Sequence, residues 1–180
     1  MTRVALLQMT AGVDPAVNAR TVIGAIAEAA TGGAAMLFTP EMSGLLDRDR
    51  ARAAASIVPE ADNPVLAAAR VEAARHGLWV ALGSLAVRAE NGRWANRSLL
   101  IDPAGAIAAR YDKIHMFDVD LAGGESWRES NAYRPGNRVV AQDVSLAPGT
   151  RAGIEAETLR LGLSICYDLR FPALFDALGR

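Results

Sequence analysis

Three side chains of this 180-residue chain can carry nucleophilic chemistry together: Cys166, Glu41 and Lys113. Cys166 is the sole cysteine and follows an apolar run through Leu159, Leu161, Leu163 and Ile165. Glu41 follows the apolar stretch 34–39 and Pro40, which lacks the donor needed to continue a strand. Lys113 follows the apolar stretch 107–111. Each thus stands just past a strand, and in α/β sheets ligand sites gather where the strands end. A free thiol has a pKa of about 8.5 and is mostly protonated at neutral pH. A neighbouring carboxylate can take that proton, which is how a weak nucleophile is activated. An ammonium group can stabilise the oxyanion formed by attack on a carbonyl. A helix opening after Cys166 would add the backbone N–H of Tyr167 as a second oxyanion donor. That set suits acyl transfer. Each residue also has a plainer reading. A lone cysteine behaves as a small core hydrophobe. An acid after a proline serves as a helix-start or solvated residue. A lysine is most often on the surface.

The elements that must position these groups follow from the pattern. Residues 4–9 predict a first strand rather than a signal peptide. Asp14-Pro15 and Asn63-Pro64 each predict a helix start, an N-cap followed by proline in the first turn. Gly32-Gly33 and Gly77 predict the two stops. Residues 47–56, rich in alanine and arginine, predict a further helix. Buried strands are expected over 34–39 and 78–84, and the β-α-β order predicts parallel pairing. Residues 85–87 and 94–101 flank Glu90-Asn91-Gly92-Arg93, a hairpin turn signal. Asp102-Pro103-Ala104-Gly105 predicts another turn before the strand at 107–111. Residues 116–137 predict a long irregular loop, and loops of that length are often functional. Residues 138–144 predict a strand, 145–157 a polar, turn-rich stretch, then a buried strand leads into Cys166, and Phe171-Pro172 opens a short helix to Leu178.

Composition removes several function classes. With 51% hydrophobic residues the chain is long and apolar enough to fold as one domain. A net charge of −1 gives no broad attraction to nucleic acid or anionic membrane. One cysteine cannot form an internal disulfide, which fits a cytoplasmic, reducing setting. It also lacks a resolving partner for thiol redox chemistry. His76, His115 and Cys166 have no metal-ligand spacing.

Three segments, Thr39-Pro40-Glu41-Met42, residues 111–118 (YDKIHMFD) and residues 164–172 (SICYDLRFP), resemble the carbon–nitrogen hydrolase, or nitrilase, superfamily. Residues 117–130 look most like its Nit branch, which includes omega-amidases and deaminated-glutathione amidases. The resemblance implies an α/β fold, the α-β-β-α sandwich of that family, as a single domain over residues 1–180. It implies Cys166 as nucleophile, Glu41 as general base and Lys113 as stabiliser of the tetrahedral intermediate, with no metal or organic cofactor. A second glutamate in the loop maps to Glu129, with Glu125 as the rival register. Arg170 matches an arginine that meets a substrate carboxylate in related carbamoylases; a structural pair with Asp168 or Asp118 is the alternative. The implied activity is hydrolysis of the C–N bond of a small carboxylate-bearing amide through a cysteine thioester. The alternatives are a carbamoylase or nitrilase of the same superfamily, or a truncated, inactive protein of the same fold. Family chains are considerably longer, so the C-terminal part of the sandwich is expected to be missing after Arg180. The implied partner is a small-molecule amide, with no nucleic acid and no membrane, and a homo-oligomer is expected at full length.

Overall fold

The computed structural model describes residues 2–89, 92–146 and 157–180. Strand β1 (Val4–Leu6) leads to helix α1 (Pro15–Thr31). The Asp14 side chain accepts hydrogen bonds from the Ala16 and Val17 N–H groups and opens the helix, with Pro15 in its first turn. The helix returns the chain to β2 (Met36–Phe38), which lies parallel to β1. Helix α2 (Arg50–Ser56) is capped by Asp49, and α3 (Pro64–His76) by Asn63. Strand β3 (Trp79–Arg88) runs parallel to β2. Strands β4 (Trp94–Ile101) and β5 (Ile107–Asp112) then fold back antiparallel. The result is one five-stranded sheet in the order β1-β2-β3-β4-β5. Of the expected hairpin turn, Glu90 and Asn91 lie outside the described residues; Ala89 N–H donates to the Arg93 carbonyl at 2.7 Å and closes the ladder beside them.

Both faces of this sheet are apolar, so both must be covered. On one face Val22 and Ile26 of α1 and Val65 and Ala69 of α3 pack on Leu37, Val80, Leu82 and Leu99. Burying each large apolar side chain contributes roughly 1.5–3 kcal/mol, which makes this half the rigid base of the molecule. On the other face Met36, Trp79, Leu100 and Tyr111 meet Val144, Leu146, Leu163 and Ile165. Between these layers in sequence runs a ribbon, β6 (Asp118–Asp120) with β7 (Ser126–Arg128). Strand β8 (Ala141–Leu146) and β9 (Glu157–Gly162) form the second layer as an antiparallel hairpin. Helix α4 (Pro172–Leu178) packs beyond it, its Leu178 against Gly162. Helices, sheet, hairpin and helix thus stack in the α-β-β-α order.

Three expectations need correction. Residues 116–137 are not wholly irregular: the β6–β7 ribbon forms, and Arg128 grips both carboxylate oxygens of Asp120 at 2.7 and 2.8 Å across it. The strand before Cys166 is not buried along its length. The β9 ladder ends at Gly162, its Leu159 is exposed, and burial begins only at Leu163 and Ile165, where the chain dips under the sheet. Its partner is the antiparallel β8. Strand β3 (Trp79–Arg88) is one bulged strand rather than two segments. Of the polar stretch at 145–157, residues 147–156 lie outside the described residues.

Candidate active site

The loop carrying Glu41 is fastened to a bulge in β3. Register shifts between Leu82 and Leu85, at Gly83. A Cβ there would stand 2.1 Å from the Thr39 carbonyl oxygen, so only glycine lets the two backbones touch. Gly83 N–H donates to Thr39 Oγ1 at 3.1 Å, and Met42 N–H donates to Ser84 Oγ at 2.9 Å. Met42 itself sits at φ 56°, a left-handed conformation that costs a non-glycine residue energy and persists only where the surroundings enforce it. Lys113 follows β5 directly, and its carbonyl accepts from Gly136 N–H at 2.7 Å. A side chain at Gly136 would collide with the Asp112 carbonyl, 2.1 Å away.

Cys166 has the second left-handed backbone among the described non-glycine residues, φ 45°, at the start of a 3-10 turn over Cys166–Arg170. The turn is held from below by Asp168, which is fully buried. Its carboxylate accepts from Tyr111 Oη at 2.7 Å, His115 N–H at 3.0 Å and Ile165 N–H at 2.9 Å. His115 Nδ1 lies 2.7 Å away as a fourth partner. The His115 ring stacks on Phe171 with centroids 3.7 Å apart, and Tyr167 meets Phe117 and Phe171 edge-on. The cysteine turn and the lysine segment are thereby locked to each other.

At the centre Lys113 Nζ lies 2.9 Å from Glu41 Oε1 and 2.9 Å from Glu129 Oε2. Asn96 on β4 repeats the bridge, Nδ2 donating to Glu41 Oε1 at 2.8 Å and to Glu129 Oε1 at 3.1 Å. Phe117 N–H donates to Glu129 Oε2 at 2.8 Å, so both oxygens of Glu129 are occupied. Glu41 is the more open of the two, with 29% of its side chain exposed against 13% for Glu129. Burial opposes the Lys113 ammonium, but the two carboxylates outweigh it and hold the group above the ordinary lysine value, hence charged. Cys166 is open to solvent on one side. Burial of its inner side, then the charge of Glu41 and a hydrogen bond to it, push the thiol above the usual cysteine range, against the opposing pull of Lys113. The resting site therefore holds a thiol beside a carboxylate, with an ammonium next to both.

The carbon-nitrogen hydrolase family matches residues 3–180. The chain belongs to this family. Among curated carbon-nitrogen hydrolase relatives, a deaminated glutathione amidase of Yersinia enterocolitica is 35% identical over 178 residues, covering 97% of this chain and 57% of the relative. The deaminated glutathione amidase of Homo sapiens is 31% identical over 182 residues, covering 98% of this chain and 52% of the relative. The chain spans about half the length of the curated relatives it matches. Among solved structures, the C. elegans NitFhit protein superposes with a TM-score of 0.77 at 29% identity, over 95% of this chain and 39% of that one. A mutant of the amidase from Nesterenkonia sp. AN1 superposes with a TM-score of 0.74 at 26% identity, over 98% of this chain and 62% of that one. That structure carries the product of Michael addition of acrylamide at its active-site cysteine.

The fold brings Glu41, Lys113, Glu129 and Cys166 together. Glu129 contacts Lys113, whereas Glu125 is exposed in the turn between β6 and β7. The Tyr167 peptide lies in the first turn after Cys166, where helical N–H groups lack an intrahelical acceptor. Arg170 is exposed and its side chain makes no hydrogen bond or ion pair among the described residues. It pairs in the structure neither with Asp168, engaged as above, nor with Asp118, which accepts from Ser130 N–H at 3.0 Å. Sequence reasoning missed Asn96 and the role of Asp168. Asn96 sits in an apolar strand with its Oδ1 buried and unpartnered among the described residues. A buried asparagine between Ala95 and Arg97 leaves no periodic mark. Asp168 was detectable only as an acid within the cysteine motif. Among the described residues no cluster of three histidine, cysteine, aspartate or glutamate side chains is spaced to hold a metal ion.

Proposed function

We propose that this chain supplies the reacting centre of a hydrolase that cleaves the C–N bond of a small carboxylate-bearing amide, releasing ammonia and an acid, in the manner of its deaminated glutathione amidase relatives. The observation that carries this reading is the single ammonium of Lys113 held between Glu41 and Glu129, with Glu41 facing the Cys166 thiol. Cys166 is the nucleophile. Glu41 takes its proton as sulfur bonds to the amide carbon, and the carbonyl π electrons move onto oxygen. Lys113 and the Tyr167 N–H hold that oxyanion. The intermediate collapses as Glu41 returns the proton to nitrogen; the C–N bond breaks and ammonia leaves a thioester. Water then gives a proton to Glu41 and attacks the thioester. The C–S bond breaks, and sulfur recovers the proton. Glu129 keeps Lys113 charged and aimed. Because its oxygens are already engaged, Glu41 is the better base.

Arg170, at the end of the turn that Cys166 opens and unpaired among the described residues, is a candidate partner for a substrate carboxylate by its bidentate geometry. Among the described residues no helix is long and apolar enough to cross a membrane. A free thiol nucleophile suits a reducing compartment such as the cytoplasm. Ammonia release from short amides, including α-keto-acid amides, is expected from the wild type and lost in Cys166→Ala. Equal release by both proteins would exclude the proposed chemistry.

A further inference from the structure

Strand β5 ends the order of the five-stranded sheet, and a groove of about 500 Å³ runs beside it. One wall is made by Arg97 of β4 with Arg110 and Asp112 of β5. The other is the segment 136–142, which carries Arg138 and comes alongside where Gly136 lies against the Asp112 carbonyl. Successive side chains of a strand point to opposite faces. Asn96 therefore reaches Glu41 and Glu129, while its neighbour Arg97 reaches Asp112 instead. Lys113 reaches the same two glutamates, while Asp112 turns to the arginines. The groove is thus divided from the reacting centre by the strand ends themselves.

The charges around the groove do not balance. Arg97 donates to both oxygens of Asp112 at 2.6 and 3.0 Å and to Glu60 Oε2 at 2.9 Å. Arg134 Nη2 adds a 2.9 Å bond to Asp112 Oδ2, and Arg110 Nε donates to Glu60 Oε1 at 2.8 Å. Every oxygen of these two carboxylates is taken. With Arg138, four guanidinium groups stand against them, a surplus of two positive charges. The surplus falls on two arginines that line the groove. Arg138 is exposed and makes no hydrogen bond or ion pair among the described residues. The Arg110 side chain is 49% exposed, and its two terminal nitrogens make no hydrogen bond among the described residues.

A carboxylate matches one arginine fork. A phosphoryl group carries close to two negative charges at neutral pH and offers three strong acceptor oxygens, enough for two forks. Ala108 and Val140 also line the groove and leave space for an organic part. Small-molecule sites occupy roughly 300–1,000 Å³, a range that includes this volume. We propose that the groove binds a small phosphate monoester, its phosphoryl group held by Arg110 and Arg138. This site is separate from the hydrolase reading and stands without it.

Titration calorimetry of the 180-residue chain at about 0.15 M salt tests the proposal, with phenyl phosphate and succinate as the probes. Phenyl phosphate is expected to bind saturably at one site, and more tightly than succinate, which has the same charge but no phosphoryl group. Arg138→Ala and Arg110→Ala are each expected to weaken it about tenfold or more, the loss of a charge-assisted pair. Arg138 has no bond of the fold to lose, so its variant should unfold at the wild-type temperature, and its affinity change then reads the groove alone. Arg170→Ala, in the cysteine turn, leaves the affinity as it is. The proposal is overturned if phenyl phosphate shows no saturable binding, if succinate binds as tightly, or if Arg138→Ala leaves the affinity unchanged. A loss on Arg170→Ala as large as that on Arg138→Ala would also overturn it, because the ligand would then sit at the reacting centre.

Discussion

At the scale of single residues, the site is a charge arrangement in which each group sets its neighbour. Lys113 is buried with two carboxylates, and a buried ammonium is tolerable only when so paired. Cys166 is the group left to respond. Burial and Glu41 hold its thiol up, so the thiolate fraction at a given pH is smaller than that of an ordinary cysteine. Alkylation by iodoacetamide should accordingly rise with pH to a midpoint above the usual cysteine value. Glu41→Gln removes one of the charges that raise the thiol while leaving Lys113, which lowers it. The alkylation midpoint of this variant should fall, even as ammonia release drops by about 100-fold or more through loss of the proposed general base. A midpoint that stays or climbs would show that Glu41 does not govern the thiol. None of this coupling was visible in the chain, where Glu41, Asn96, Lys113 and Cys166 are separated by tens of residues. Their types were legible, and so was their order. Asn96 was not, since its importance lies in burial between two carboxylates and not in any spacing.

At the scale of elements, the helices were legible because their signals are local. Asp14-Pro15 and Asn63-Pro64 carry the cap and the proline within two residues, and both helices begin there. The second layer was less legible because its burial depends on what lies over it. The run through Leu159 and Leu161 has the composition of a core strand, yet it is the hairpin's uncovered face, and the buried pair is Leu163 and Ile165. What joins the layers is Asp168, whose carboxylate ties β5 through Tyr111, the lysine segment through His115 and the cysteine turn through Ile165. Asp168→Ala should leave several buried donors without an acceptor and cost about 3 kcal/mol or more of stability. The measurement is denaturant unfolding alongside the rate of Cys166 labelling. A variant with unchanged unfolding and labelling would show that the turn is held by something else.

At the scale of the whole molecule, the five-stranded sheet is well covered while its margins are not. Leu6 on edge strand β1 is 79% exposed, and Leu169 in the cysteine turn is 74% exposed. Edge strands and apolar projections of this kind invite pairing with another chain. Light scattering of the 180-residue chain should show a mass above the 19.0 kDa of a monomer, growing with concentration. Leu6→Lys with Leu169→Lys should return it toward the monomer; a wild type that stays monomeric at high concentration removes the expectation.

The sharing of one ammonium by two carboxylates also bears on the proposed turnover of an amide. As drawn at rest, Glu41, Glu129 and Lys113 sum to one surplus negative charge around the nucleophile. An amide group is neutral and enters without penalty. The group it becomes is an anion, born a few ångströms from that surplus, and is repelled at the moment it forms. Hydrolysis would thus carry its own exit step. The acid product should inhibit the reaction at least about tenfold more weakly than its parent amide saturates it, an asymmetry that progress curves with added product would reveal.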